Sequence, residues 1–436
     1  MQKVPTFSKG GVHPDDKKVF SRSQSIERLP MPSELIVALS QHLGAPAKAL
    51  KAKGDTVLKG EKIGESAGFI SSDVHSPVNG VIKEVRRVTL ANSVQCDAFV
   101  IVPDAEQPDQ ESVKLDWKDQ SSADLLAKIK DLGIVGMGGA TFPAHVKFSV
   151  PRDKKVEAFV VNGVECEPYL TADYRIMLEK GEQALEGAMI CAKITGARRV
   201  IVGIEMNKPD CISHLQEIVK QKGYPIEIVG LKVKYPQGDE KQLLKATIQR
   251  EIPSGKLPLD VGAVVANIGT CNAIYEAIVL GKSLYERVIS VTGECIANPK
   301  NILAPVGTKV SDLLAFCGGF SSEPEKLVSG GPMMGFSFFD LETPITKGSS
   351  GLLALPPQKK VRTTPCLNCG RCVAACPIGL MPARLYRLID NGRYEEAMQT
   401  SLMDCKECGC CSYVCPAHLP LVHTMKTGKK LGRKKK

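Results

Sequence analysis

Hydrophobic positions along the 436-residue chain change their spacing several times, and each change predicts a different architecture. From about Leu29 to Pro103 apolar residues come in short runs broken by turn residues: Lys53-Gly54-Asp55-Thr56-Val57, Gly60-Glu61-Lys62-Ile63-Gly64 and Ser76-Pro77-Val78-Asn79-Gly80-Val81-Ile82. That pattern predicts a compact all-β unit, with Asn79-Gly80 at a hairpin tip. A helix follows over Ala123 to Leu132, with Leu125, Leu126 and Ile129 on one side. Strand-like runs recur at Ala158–Val161, Arg199–Glu205, Ile226–Val233 and Val261–Asn267, separated by helical spacing at Gly181–Lys193 and His214–Lys222. Such alternation predicts a parallel α/β sheet over roughly residues 120–285. Strands are then expected at Arg287–Gly293 and Ile302–Gly307, a helix at Val310–Phe316 stopped by Cys317-Gly318-Gly319, and a strand pair at Lys326–Ser329 and Gly335–Phe338. Pro356-Pro357-Gln358-Lys359-Lys360 reads as a linker, after which Pro382–Ile389 and Arg393–Ser401 read as helices split by Asp390-Asn391-Gly392.

Composition is ordinary for a globular protein of more than one domain, with 43% hydrophobic and 24% charged residues. No run approaches the length of a membrane span, and Met1 to Gly10 lacks the charged-then-apolar pattern of a signal peptide, which points to a cytosolic origin. The net charge of +10 is concentrated at the end, where residues 426–436 carry seven Lys or Arg and no acid, leaving about +3 for the rest. With 5% aromatic residues as well, nucleic-acid binding is not indicated. The tail Lys426–Lys436 is expected to be solvated and disordered, or else to attach the protein to an anionic membrane surface or acidic partner.

The cysteines change the picture. Cys366-x-x-Cys369-x-x-Cys372-x-x-x-Cys376-Pro377 recurs as Cys405-x-x-Cys408-x-x-Cys411-x-x-x-Cys415-Pro416. This is the bacterial two-cluster iron–sulfur pattern, in which the fourth Cys of each run ligates the other cluster. It assigns Cys366, Cys369, Cys372 and Cys415 to one [4Fe–4S] cluster and Cys405, Cys408, Cys411 and Cys376 to a second. Paired structural zinc sites share the Cys-x-x-Cys spacing but need neither a third Cys at the same step nor a Cys-Pro. Cys410 stands outside the register. Leu385, Leu388, Ile389, Ala397, Met398 and Leu402 are expected to pack around the clusters and exclude water. The other cysteines are scattered, as in a reducing compartment.

Two further stretches carry chemistry. Gly136-Met137-Gly138-Gly139-Ala140-Thr141-Phe142-Pro143 can bring backbone N–H groups close to a phosphate, with Lys147 as a positive partner; taken alone, it reads equally as an ordinary surface turn. It is no Rossmann fingerprint, because it follows a helix and Thr141 replaces the third glycine. The strand Ala158–Val161 then delivers Asn162-Gly163-Val164-Glu165-Cys166-Glu167-Pro168 at its C-terminal end, where open α/β sheets place ligand contacts. Tyr235-Pro236-Gln237-Gly238-Asp239-Glu240 and Ala266-Asn267-Ile268-Gly269-Thr270 close two more strand units, and each is equally readable as a loop or helix cap.

Taken in this order, these segments resemble the flavin-bearing NADH-oxidising subunit of respiratory complex I. With the β-unit and the cysteine octet, the resemblance is greatest to the family of C subunits of Rnf ferredoxin:NAD+ oxidoreductases, and it spans nearly the whole chain. The resemblance implies a barrel-sandwich domain like those of lipoyl carriers over 29–118, after an extension at 1–28. It implies a Rossmann-like FMN/NADH domain over 119–286, a soluble-ligand-binding β-grasp domain over 287–355 read as a spacer, an α-helical two-cluster ferredoxin domain over 356–422, and a basic tail at 423–436. The carrier function itself is not implied, because the loop Ala67–Val74 holds no lysine.

Residue by residue, the resemblance places Gly136, Gly138, Gly139 and Lys147 at the flavin phosphate and ring. Asn162, Glu165, Asn267 and Thr270 become further FMN contacts, and Phe142 stacks on the nicotinamide nucleotide. Glu167, Tyr235, Asp239 and Glu240 serve NAD(H). Met137, Thr141 and Val164 depart from the complex I pattern, which has Arg, Gly and an acid at those positions. The implied FMN is noncovalent. The implied function is hydride exchange between NAD(H) and FMN followed by single-electron passage through two [4Fe–4S] clusters, in a peripheral subunit at the cytoplasmic face of a membrane complex coupled to ion transport. Its partners are the membrane subunits, with ferredoxin reaching it through other subunits. A microcompartment cobalamin reductase and a cluster relay with a degenerate nucleotide pocket share these features.

Overall fold

The computed structural model describes residues 4–108, 114–359 and 361–434; Lys360, Lys435 and Lys436 of the linker and tail lie outside them. The β-unit is two small sheets face to face. Strands Leu35–Ala38, Gln95–Pro103, Gly80–Thr89 and Thr56–Val57 form one; Lys48–Ala49, Lys62–Glu65 and Val74–His75 form the other. Their inward side chains, among them Leu35, Val37, Ile63, Val74, Ile82, Phe99 and Ile101, make a closed core. Asn79-Gly80 is not a hairpin tip: the strands on either side belong to different sheets, so Ser76–Asn79 is a crossing between layers. There Asn79 Oδ1 accepts from Lys59 N at 2.7 Å, a bond to another segment that local turn propensity does not reveal.

The α/β unit has a four-stranded parallel sheet in the order Ile226–Leu231, Arg199–Glu205, Ala158–Asn162, Ala263–Asn267. Its two central strands are continuously apolar because helices cover both faces. Helices Gly181–Thr195 and Ile268–Leu280 pack closely, and Glu276 from the second is set into a buried charge network. It accepts from Lys180 at 2.9 Å and Lys282 at 2.8 Å, and Lys282 continues to Glu286 at 2.6 Å. Burial alone would raise the Glu276 carboxyl, but Lys282 and Lys180 override it and hold it down to about 2. Stability from this depressed group is present above the carboxyl's ordinary pH range and lost as pH falls through about 2. Glu276→Gln is therefore expected to cost roughly 3 kcal/mol near neutrality. Thermal melts should show the deficit at pH 7 shrinking steadily below about pH 4.5.

A six-stranded mixed sheet follows, in the order Ile26–Arg28, Lys300–Pro305, Glu286–Thr292, Gly351–Leu355, Lys326–Ser329, Phe336–Phe338. Its edge strand comes from the N-terminal segment, with Ile26 opposite Asn301 in parallel register. That segment crosses the whole molecule before the β-unit begins. Gly11 N donates to Ala375 O and Val12 pairs with Tyr235, while Tyr169 N donates to Asp16 O. Lys347 joins three units, donating to Asp73 O at 2.6 Å and Gly133 O at 2.7 Å from a fully buried position.

Beyond residue 360 the described chain is helical, with Pro382–Asp390, Tyr394–Gln399 and Leu421–Lys434 as its larger elements. The tail is thus not disordered through Lys434: Leu421 and Met425 are buried, and Gly428 and Gly432 seat against Ile389 and Met398. Small and apolar residues recurring every three or four positions among the lysines give this helix an apolar stripe that charge counting obscures. The residues expected to surround both clusters pack mainly on each other and on this helix: Leu385, Leu388, Ile389, Ala397 and Leu402 form one core with Met425.

Candidate functional site

The parallel strands Ala158–Asn162 and Ala263–Asn267 end side by side, with Asn162 and Asn267 in register at the carboxyl edge of the sheet. Asn267 caps helix Ile268–Leu280, accepting from Gly269 N at 2.8 Å, and its Nδ2 donates to Asp173 at 2.6 Å. Thr270 Oγ1 accepts from Met137 N at 2.8 Å, which ties the glycine loop to the same helix N-terminus. Gly138 lies at φ +72° with Asn267 Nδ2 only 2.9 Å from where a Cβ would stand, whereas a Cβ on Gly139 would meet nothing within 4 Å. The loop therefore offers bare backbone to an open cradle beside a helix N-terminus, which is what a phosphate requires. An FMN fits these residues. Phe142 is half-buried at the loop's far end, its backbone bonded to Gly136. Lys147 and Glu240 form an ion pair at 2.8 Å, both about one-third exposed.

Asn162 Nδ2 donates to Gly238 O at 2.8 Å and its Oδ1 accepts from Val164 N, so this side chain holds two neighbouring loops. Val164 is fully buried. Glu165, at φ +45°, accepts from Asp173 N through Oε1, while its buried Oε2 has no hydrogen-bond partner. Burial pushes the Glu165 carboxyl up to about 7, with Lys18 as the main counterweight. Lys18, Asp173 and Lys208 complete this layer; Lys208 donates to Val164 O at 2.7 Å. Nothing in the local sequence of Lys18, in an unpatterned stretch 147 positions from Glu165, announces that proximity.

Glu167 and Tyr235 are brought together away from the cradle's rim. Tyr235 OH donates to Glu167 Oε1 at 3.2 Å, and Met333 N of the mixed-sheet unit donates to Glu167 Oε2 at 3.0 Å. Tyr235 is 2% exposed, and Val12, Ala375 and the fully buried Cys410 pack on it. These residues form a seam between the α/β unit, the N-terminal segment and the helical cysteine unit. Asp239 caps helix Glu240–Thr247, accepting from Lys241 N and Gln242 N, with Glu240 as that helix's first residue. Asp239 serves the cap through Oδ1, Glu167 and Tyr235 pack in the seam, and Glu240 pairs with Lys147.

Across the seam, Cys376, Cys405, Cys408 and Cys411 line one small cavity, walled by Leu380, Leu385, Val422 and Met425, with Cys410 at its border. Leu380 N donates to Cys376 Sγ and Glu407 N to Cys405 Sγ, the amide-to-sulfur bonds that stabilise thiolates. Cys372 and Cys411 share one apolar cluster, against which Cys366 and Cys415 pack, and Cys369 is exposed. Four thiols in motif register, apolar walls and N–H···S donors suit a [4Fe–4S] cluster on the inner side, and the second set offers the same donor chemistry.

Known families match four successive segments of the chain. Family models match an RnfC barrel sandwich hybrid domain at residues 6–106, a Nuo51 FMN-binding domain at 129–276, an SLBB domain at 288–337 and a 4Fe-4S dicluster domain at 365–419. The chain is 44% identical over 395 residues to the C subunit of the proton-translocating ferredoxin:NAD(+) oxidoreductase complex of Clostridium ljungdahlii, covering 90% of this chain and 86% of that one. It is 40% identical over 400 residues to the C subunit of the Na(+)-translocating ferredoxin:NAD(+) oxidoreductase complex of Acetobacterium woodii, covering 91% and 90%. Among solved structures, an NAD+-reducing [NiFe]-hydrogenase in the H2-reduced state aligns with a TM-score of 0.50 at 16% identity, over 71% of this chain and 60% of that one, a likeness of fold.

Proposed function

The chain belongs to the RnfC family of ion-translocating ferredoxin:NAD(+) oxidoreductase complexes, and on that premise we propose that it is the subunit where NAD(H) and the complex exchange electrons. Bound FMN supplies two-electron exchange with the nicotinamide and single-electron exchange with the [4Fe–4S] clusters, a conversion neither partner performs alone. One observation carries the reading: Asn162, in register with Asn267 beside the glycine loop, donates to Gly238 of the segment that bears Tyr235, and Tyr235 packs on Cys410 at the thiol cavity. Gly136, Gly138, Gly139 and Thr270 shape the phosphate end, and Asn162 and Asn267 hold the loops that wall it. Phe142, half-buried at the end of the loop, would stack on a nicotinamide nucleotide, and the Lys147–Glu240 ion pair would meet the same ligand. Tyr235 and Val12, both buried, and Glu167 bonded to Tyr235 would help to exclude water from the seam beside the inner thiols. The partners are other subunits of the complex. The chain's contact with the membrane subunits is placed, in this proposal, at the cytoplasmic face; no helix among the described residues is long and apolar enough to cross a membrane.

Full-length protein prepared without oxygen and supplied with FMN should hold about eight irons per chain, and its flavin absorbance should bleach on NADH titration. Stoichiometric zinc in place of iron, or a flavin indifferent to NADH, would end the proposal. Gly138→Ala tests the cradle separately. A left-handed φ costs a β-carbon roughly 1–2 kcal/mol before the collision with Asn267, so FMN affinity, read from quenching of flavin fluorescence, should fall about tenfold or more. The strain is carried by the folded protein with or without flavin, so the melting temperature should also fall, by a few degrees.

A further inference from the structure

The N-terminal segment reaches into the site without belonging to any of its matched chemistry. Lys18 is 4% exposed and comes from a short turn, Lys18–Phe20, laid over the loop 165–171. Its ammonium donates to Glu167 O at 3.0 Å and Leu170 O at 2.5 Å and stands 3.7 Å from Glu165 Oε2. That Oε2 is the buried carboxylate oxygen with no hydrogen-bond partner. The turn is pinned on both sides: Ser21 and Thr171 share a hydrogen bond at 2.7 Å, Phe20 stacks on Tyr169, and Asn207 donates to Asp16. From Glu165 the contacts continue through Asp173 and Asn267 to the glycine loop at Gly138. Asp173 is half-buried in the same layer and Glu205 is buried, and Lys208 sits 3.8 Å from Glu205, occupied by Val164 O. Lys18 is thus the cation placed against Glu165.

We propose that Lys18 is a positioning residue for the flavin site: by neutralising and aiming the Glu165 carboxylate, the N-terminal segment completes a pocket whose glycine loop carries Met137 instead of a cation. This rests on Glu165 being an FMN contact. A buried carboxylate left without its cation turns away or takes up a proton, and in either case no longer presents the same acceptor to the ligand.

The experiment is a two-residue cycle on the full chain, reading FMN dissociation constants by fluorescence quenching, with thermal melts alongside. Glu165→Gln should weaken FMN about tenfold, and Lys18→Met should do the same. Lys18→Arg, which keeps the charge, should stay within about threefold of the parent, a rescue that a merely space-filling role would not show. The doubly neutral Lys18→Met/Glu165→Gln protein should bind no more weakly than Glu165→Gln alone, and it keeps the test alive if Lys18→Met does not fold. Parent-like FMN binding by Lys18→Met beside weakened Glu165→Gln overturns the role of Lys18 while leaving Glu165 as a contact. Full additivity in the double variant overturns it too, and parent-like binding by Glu165→Gln removes the contact itself and the proposal with it.

Discussion

Cys376→Ala protein purified anaerobically should contain roughly four irons per chain or fewer, against about eight for the parent, if the fourth cysteine of the first run serves the cluster of the second. Sequence spacing proposes this crossing, and the placement of Cys376 in one cavity with Cys405, Cys408 and Cys411 supports it. The effect should extend beyond one ligand. The carbonyl of Cys376 is where the N-terminal segment touches the helical unit, at Gly10, whose left-handed φ of +57° and close approach leave no room for a side chain. Losing the inner cluster therefore loosens the seam that Ala375, Val12 and Tyr235 build. Cys410→Ala is the control: Cys410 borders the same cavity and is as buried as any ligand, but it stands outside the motif's register and its Sγ lies 3.9 Å from the Tyr235 carbonyl, on the seam side. Its variant should keep about eight irons. A Cys376→Ala protein with full iron and an unchanged visible spectrum would rule out the crossed ligation.

Much of the architecture is legible because it is written in local periodicity. The strand Arg199–Glu205 and the helix Val310–Phe316 fall where the apolar spacing puts them, and the cysteine octet names its chemistry by spacing alone. What is not legible is which groups spend their hydrogen bonds on the protein itself. Asp239 looks like a ligand acid in the sequence, and the structure adds that two N–H groups of its own helix take its Oδ1 as a cap. Tyr235 and Glu167 look like pocket residues, yet the nearest claims on them come from Met333 and Val12, distant in sequence. Lys18 is invisible for the same reason: its partners lie about 150 residues away, and no period in an irregular segment encodes a contact of that range. The Asn79-Gly80 pair teaches the converse. Its turn propensity is real, but whether a turn joins strands of one sheet or of two is decided by the core beneath it.

The C-terminal helix was hidden by its own charge, and removing it should have the other large effect. A chain ended at Pro420 loses Leu421 and Met425, each 1% exposed, and with Val422 and Met425 it loses one wall of the inner thiol cavity. It also loses Lys429, which donates to Cys405 O at 2.5 Å and to Glu407 at 2.7 Å, fixing the loop that carries the first ligand of the second run. Removing two buried side chains of this size destabilises by several kcal/mol, and water admitted to the cavity exposes the inner cluster to oxygen. The truncated protein should lose about half its iron or more and melt well below the parent. Charge alone is a separable matter. Lys430 and Arg433 are exposed, away from the helix's buried stripe, so Lys430→Gln/Arg433→Gln should keep full iron and the parent's melting temperature. If the basic face meets an anionic membrane at about 1 kcal/mol per residue, that variant should bind anionic vesicles roughly thirtyfold less well. A truncation that kept its iron would show that the helix is only an address for the membrane, whereas loss of iron on truncation with full iron in the charge variant makes it a lid on the inner cluster.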